Sequence, residues 1–458
     1  MLVYNKKQKT LAPEEHHYEL QNVKKPKLFR ETFPYAEIPK ISFNNTAVPM
    51  NPPDDIWITD TTFRDGQQAI TPLTVEQIST LFDFLHKLGG PNGMVRQTEF
   101  FLYTDKDKAA VRKCQEKGYE FPQITSWIRA TKSDFKLVKE MGIKETGILT
   151  SCSDYHIFSK LNKTRREALD MYLDIVKAAL DEGITPRCHF EDITRADFYG
   201  FVIPFASELM KLAQEAKTKI KIRACDTLGL GVGLPGAALP RSVNGIIHGL
   251  NHFADVPSEW LEWHGHNDFY RAVTNSTNAW LYGCAAINTS LLGIGERTGN
   301  TALEAMAIEY AALRGDTNGM DLSVITEVAN YFKKTLKYKI PANQPYVGAY
   351  FNMTRAGIHA DGLLKEQEIY NIFDTQAILN RPPEVAITNM GGLASIAFWV
   401  SMHVPCFSES GKQIEKTDPG IAKIKDHIDA EFAAGRTNIV NNDEMFELVK
   451  KYMPEILK

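Results

Sequence analysis

IWITDTTFRDGQQAITPLTVEQISTLFDFLHKLGG, residues 56–90, reads as one complete strand-loop-helix unit. An apolar run gives way to a polar loop, and the loop leads into a segment whose apolar residues recur at helical spacing. Thr74 and Gln77 have the spacing of a capping box at the helix start, and Gly89 is the expected stop. Further β-like runs begin near Val95, Phe121, Glu145, Pro186, Ile220, Trp260 and Ala285. Between them lie helical patterns such as DKDKAAVRKCQEKG, SDFKLVKEMG, TRREALDMYLDIVKAALDEG and TALEAMAIEYAALRG. Eight such units over about 260 residues predict an α/β fold, a (β/α)₈ TIM barrel with right-handed connections and its active site at the carboxyl ends of the strands.

The barrel is expected over residues 55–315. A chain of 458 residues exceeds the roughly 250–300 at which a single core stops growing, so further regions are expected around it. Residues 1–54, polar with scattered prolines and aromatics, read as an extended arm packed on the barrel or on a partner subunit. Residues 316–458 read as an appended, mainly helical region with a turn-rich break at ILNRPPEV. With 52 Lys+Arg against 56 Asp+Glu, the net charge of −4 argues against nucleic-acid or membrane binding. The six cysteines lie far apart with no CxxC, which fits neither a disulfide framework nor a thiolate zinc site and suits a reduced, cytoplasmic chain. The N-terminus has no apolar core of a signal peptide, and no run approaches about 18 apolar residues.

Four segments carry the chemistry: TDTTFRDGQQ (59–68), RCHFED (187–192), HGHND (264–268) and GIGERTGN (293–300). On the barrel, Asp65 follows strand 1, Glu191 ends strand 5, Asp226 and Thr227 end strand 6, His264 and His266 end strand 7, and Asn300 follows strand 8. All of them fall at the catalytic end. The two histidines, at i and i+2 on a strand, point to one face. Alone they would suit a hydrogen-bonded structural pair. With Asp65 they form an N₂O set that can hold a divalent metal and leave positions open for substrate. Such ligation admits Mn²⁺ or Co²⁺, placed first, and Mg²⁺ or Zn²⁺. The glycines of GIGERTGN do not form GxGxxG, so a dinucleotide fold is a poor reading.

These motifs, with DTLG (226–229) and AGIHADG (356–362), resemble the metal-dependent acyl-CoA condensing enzymes of the isopropylmalate synthase and homocitrate synthase family over roughly residues 55–370. The resemblance implies condensation of acetyl-CoA with a 2-oxo acid on a metal-bearing barrel, followed by thioester hydrolysis. It implies Asp65, His264 and His266 as metal ligands, with Asn300 as a fourth ligand or a helix N-cap. Arg64 would meet the oxo and carboxylate oxygens of the substrate. Glu191 and His359, the latter delivered from a partner subunit of a homodimer or higher oligomer, would handle the acetyl proton, with Thr227 orienting them. Glu191 could also be a helix N-terminal carboxylate, and His359 a loop or interface histidine.

Arg187, His189 and Glu191 alternate along one strand and should face the same side of the barrel mouth. An arginine at Arg187 resembles homocitrate synthase, where the matching residue meets the second carboxylate of a dicarboxylic oxo acid. His189 replaces a small serine and would shorten the pocket, which favours oxaloacetate, and hence citrate, over 2-oxoglutarate. Tyr270 follows HND where the family has glycine one residue after an apolar position; its plain alternative is a packing aromatic. A carbon–carbon lyase on the same barrel would need a cysteine-bearing glycine loop that LLGIGERTGN lacks. A non-catalytic metal-binding scaffold is the rival of a different class.

Overall fold

The βα units assemble in sequence order. In the computed structural model, which describes residues 2–5, 10–13 and 17–457, eight parallel strands close into a barrel. They are β1 (Trp57–Asp60), β2 (Val95–Phe100), β3 (Gln123–Ile128), β4 (Glu145–Ser151), β5 (Thr185–Glu191), β6 (Lys221–Asp226), β7 (Leu261–Gly265) and β8 (Ala286–Thr289). β8 pairs with β1 to close the ring. The principal outer helices are α1 (Val75–Gly89), α2 (Asp105–Gln115), α3 (Phe135–Glu140), α4 (Arg165–Asp181), α5 (Ile203–Ala216), α6 (Val243–Phe253), α7 (Ala272–Tyr282) and α8 (Leu303–Arg314).

Local chemistry explains the helix ends. Thr74 and Gln77 form the expected reciprocal capping box, and Thr164 with Glu167 forms another. The stop of α1 falls one residue later than Gly89: Gly90 turns the chain at φ 65°. A Cβ there would lie 1.9 Å from the Gly319 carbonyl oxygen, so only glycine fits.

Strand register sorts the inward-facing side chains of β5 to β8 into levels. Glu191, Cys225, His264 and Asn288 are partners across the sheet and form the register row nearest the carboxyl ends of the strands. His189, Arg223, Glu262 and Ala286 form the next. Arg187 and Lys221 lie below them. At about 3.3 Å per residue, successive levels are separated by roughly 6.6 Å.

The chain divides into two compact units, Met1–Asp321 and Leu322–Lys458. In the first, the described part of the N-terminal arm is strapped to the barrel through its backbone. Arg165 donates to the Gln21 carbonyl at 2.9 Å, Tyr155 to the Leu28 carbonyl at 2.6 Å and Arg241 to the Pro39 carbonyl at 3.0 Å. The second unit is mainly helical. It includes α9 (Val324–Lys334), α10 (Gly357–Lys365), α11 (Thr375–Leu379) and α12 (Leu393–His403). A core that includes Ile396, Trp399, Val400, Ile421, Ile424 and Val449 fills it. ILNRPPEV breaks the helices as expected: α11 ends at Asn380, left-handed at φ 50°, and a two-residue strand, Glu384–Val385, follows. Among the described residues no helix is long and apolar enough to cross a membrane.

Candidate active site

The turn after β1 carries Arg64 and Asp65, and the end of β7 brings His264 and His266 up beside them. The three candidate ligands are all buried. His264 Nε2 lies 3.1 Å from His266 Nε2. Asp65 Oδ2 is 4.0 Å from His264 Nε2 and 3.7 Å from His266 Nε2. Asp65 Oδ2 is buried without a hydrogen-bond partner, and so is Asn300 Oδ1. Orphaned oxygens beside two converging imidazoles are costly unless something satisfies them, and the donor set suits a divalent ion.

Burial and charge prepare these groups for that role. Burial alone would raise the Asp65 carboxyl, but Arg64, His264 and His266 outweigh it and hold it at about 2. Burial pushes both histidines down to about 4, with their mutual repulsion also acting on His266. Both are therefore neutral near pH 7, as ligation requires. His264 Nδ1 hydrogen-bonds Asn288 Oδ1 at 2.8 Å, and the Asn288 amide donates to Thr59 Oγ1 at 3.0 Å. That chain sets the His264 tautomer and turns Nε2 to the site. Asn288 carries no motif, and its role was not legible in sequence.

A cavity of about 100 Å³ opens beside the triad, lined among others by Arg64, Gln68, His189, Glu191, Arg223, Thr227 and Glu296. Arg64 donates to Asp65 at 3.2 Å and lies over the Trp127 ring at 4.7 Å. Glu191 accepts from Ser151 and from Lys160 at 3.1 Å, and His156 Nδ1 lies 3.1 Å away. Although burial opposes it, His156, Ser151 and Lys160 hold the Glu191 carboxyl at about 2. Thr227 Oγ1 accepts the Asp192 backbone N–H at 2.8 Å and so pins the peptide that follows Glu191. Asp192 there is left-handed at φ 64°.

Three further residues singled out in the sequence have these surroundings. Asn300 does not cap a helix; its amide donates to the Ile294 carbonyl at 3.1 Å, and α8 is preceded by Ala302 at the cap position. Tyr270 does not pack: it is 94% exposed, with left-handed backbone at φ 58°. His359 lies in the second unit on α10, its ring 4.3 Å from that of Tyr370.

Arg187 stands apart from the cavity lining. It shares the inward face with Glu191 but lies two levels lower and does not line the cavity. Its guanidinium is held by Glu99 at 2.8 Å and Glu145 at 3.0 Å, and Lys221 pairs with Glu145 at 2.6 Å. Buried carboxylates share this arginine with Lys221 and Arg223, so the charges form one network. The same network contains Arg223, which donates to Glu262 and, at 3.1 Å, to Glu99. Burial would raise the Glu262 carboxyl, but Arg223 and Arg187 hold it at about 2. Charged residues at alternating positions of otherwise apolar strands were the available signal for this network, since charges facing a barrel interior need partners.

Residues 55–332 match the HMGL-like family. The chain is 59% identical over 441 residues to the citrate (Re)-synthase of Clostridium kluyveri, covering 96% of this chain and 97% of that one. It is 56% identical over 454 residues to the citrate (Re)-synthase of Syntrophus aciditrophicus, covering 98% and 72% respectively. A homocitrate synthase of Methanothermobacter thermautotrophicus is more distant, at 28% over 326 residues, covering 70% and 77%.

Proposed function

Because the chain belongs to the HMGL-like family, among its isopropylmalate and homocitrate synthase-type condensing enzymes, we propose that it joins acetyl-CoA to oxaloacetate, releasing citrate and CoA. The observation that carries the reading is the buried Asp65, His264 and His266 triad beside Arg64 and Glu191, in a chain 59% identical to a citrate (Re)-synthase. When bound there, a divalent ion, Mn²⁺ or Co²⁺ for this N₂O set, supplies Lewis acidity toward a chelating 2-oxo acid.

The chain's own residues do the rest. Arg64 donates to the oxygen on C2 as it gains charge when the acetyl methyl carbon bonds to C2. The methyl proton needs a base, and a carboxylate held at about 2 is a weak one at neutral pH. Glu191 therefore orients the base, and Thr227 fixes the peptide behind it. His359, from the helical region of a partner subunit, takes the proton, which makes the working unit a homodimer or larger. Water then hydrolyses the citryl thioester and CoA leaves.

The test is CoA thiol release by metal-loaded protein with oxaloacetate, 2-oxoglutarate and 2-oxoisovalerate. Oxaloacetate should lead in kcat/KM by tenfold or more. A lead for 2-oxoglutarate would favour homocitrate synthesis, and metal binding without turnover of any of the three would favour a scaffold.

A further inference from the structure

The cavity contains an arginine that the metal site does not use. Arg223, on β6, is 1% exposed. Two of its nitrogens are committed: Nε donates to Glu262 and Nη1 to Glu99 at 3.1 Å. Nη2 is buried and makes no hydrogen bond. A guanidinium N–H left unpaired out of water is expensive unless a ligand completes it. The two carboxylate bonds also fix the plane of the group, so its remaining donors are held in advance.

Position supplies the second argument. Arg223 is the register partner of His189, and both stand one level below Glu191, Cys225 and His264. Both line the cavity beside Asp65, His264 and His266. In a 2-oxo acid anchored by its C2 oxygen and C1 carboxylate, the oxygens of a C4 carboxylate extend about 3.6 Å beyond C2. A hydrogen bond of about 2.9 Å then reaches a donor about 6.5 Å from C2. Arg187 does not line the cavity, and its guanidinium pairs with Glu99 and Glu145.

We propose that Arg223, rather than Arg187, reads the distal carboxylate of the substrate. Arg223 Nη2 takes the empty donor role in a short subsite bounded by His189, whose Nε2 is likewise buried without a hydrogen bond. This deepens the condensing-enzyme reading and rests on it only for the identity of the acid; the subsite itself is for a four-carbon dicarboxylate chelated at C1 and C2.

Binding separates the two. Malate and lactate are stable 2-hydroxy counterparts that differ in the distal carboxylate, and calorimetry on metal-loaded protein gives a Kd for each. Wild type should bind malate tenfold or more tighter than lactate. Arg223→Lys keeps a cation for Glu99 and Glu262 but replaces the rigid guanidinium with a shorter, rotating ammonium. By losing the planar fork that aims a fixed donor at the subsite, it should reduce the malate advantage by roughly ten- to hundredfold while changing lactate less than about threefold. Arg187→Lys, a change in the same charge network, should leave the ratio unaltered. The proposal is overturned by equal losses for both ligands in Arg223→Lys, by a ratio that responds to Arg187→Lys instead, or by wild type that does not distinguish the ligands. If Arg223→Lys does not fold, His189→Ser must lower the malate-to-lactate ratio, and an unchanged ratio overturns the proposal. Absence of thiol release with oxaloacetate, with the malate preference intact, would overturn the condensation and leave the subsite standing.

Discussion

His266 contributes a neutral imidazole because burial and His264 together push it to about 4. Replacing it with alanine removes one of three ligands, and metal affinity should fall by two orders of magnitude or more. Metal content after dialysis against a buffered ion should drop from one per chain to well below that. Arg187 belongs to a different category. Arg187→Ala leaves Glu99 and Glu145 short of a buried partner and should destabilise the fold by about 3–5 kcal/mol, read as a shift in urea midpoint. A midpoint unchanged within error would mean that the network tolerates the loss and that its buried charges are solvated.

At the scale of an element, β5 shows what a strand pattern can and cannot say. Alternation correctly placed Arg187, His189 and Glu191 on one face, because successive side chains of a strand point to opposite sides. Depth along the barrel axis is set by the stagger of neighbouring strands and by charges arriving from β2, β4, β6 and β7, which no local pattern encodes. The neighbour β4 makes room for His189 through Gly147, where a Cβ would lie 2.5 Å from His189 Nε2. His189→Ser should open that space and shift preference from oxaloacetate toward 2-oxoglutarate, a change usually worth about 1–3 kcal/mol. The ratio of the two kcat/KM values measures it. An unchanged ratio would remove His189 as the wall of the pocket.

The charged levels also set an acid limit. Glu262 titrates at about 2 in the folded protein against an ordinary 4.5. A depressed carboxyl favours the folded state once ionised, so its contribution is present above pH 4.5 and is lost as pH falls toward 2. Glu262→Gln should flatten the decline in stability over that window, as followed by chemical denaturation at stepped pH.

For the whole molecule, strand starts were legible to within two residues because each βα unit carries its own periodicity, caps and turn, and because barrel order follows chain order. The proximity of Asp65, His264 and His266, a group that could hold a metal ion, was legible for a related reason: its members lie at the carboxyl ends of strands, where the fold gathers loops. Partners such as Asn288, His156 and Arg223 were not, since each acts through a residue distant in sequence. The place of His359 depends on assembly. If it serves a neighbouring barrel, mixing Asp65→Asn with His359→Ala chains should restore activity through hybrid sites carrying neither change. Verified subunit exchange without recovery would put His359 to work in its own chain or outside the reaction.

The most direct measurement follows CoA thiol release from acetyl-CoA and oxaloacetate on one preparation, first stripped of metal by chelation and then reloaded with Mn²⁺ or Co²⁺. The stripped protein should be silent. Reloading should restore citrate formation in proportion to metal bound, up to one ion per chain. Full turnover with no metal remaining, or none from the fully loaded protein, would contradict the account.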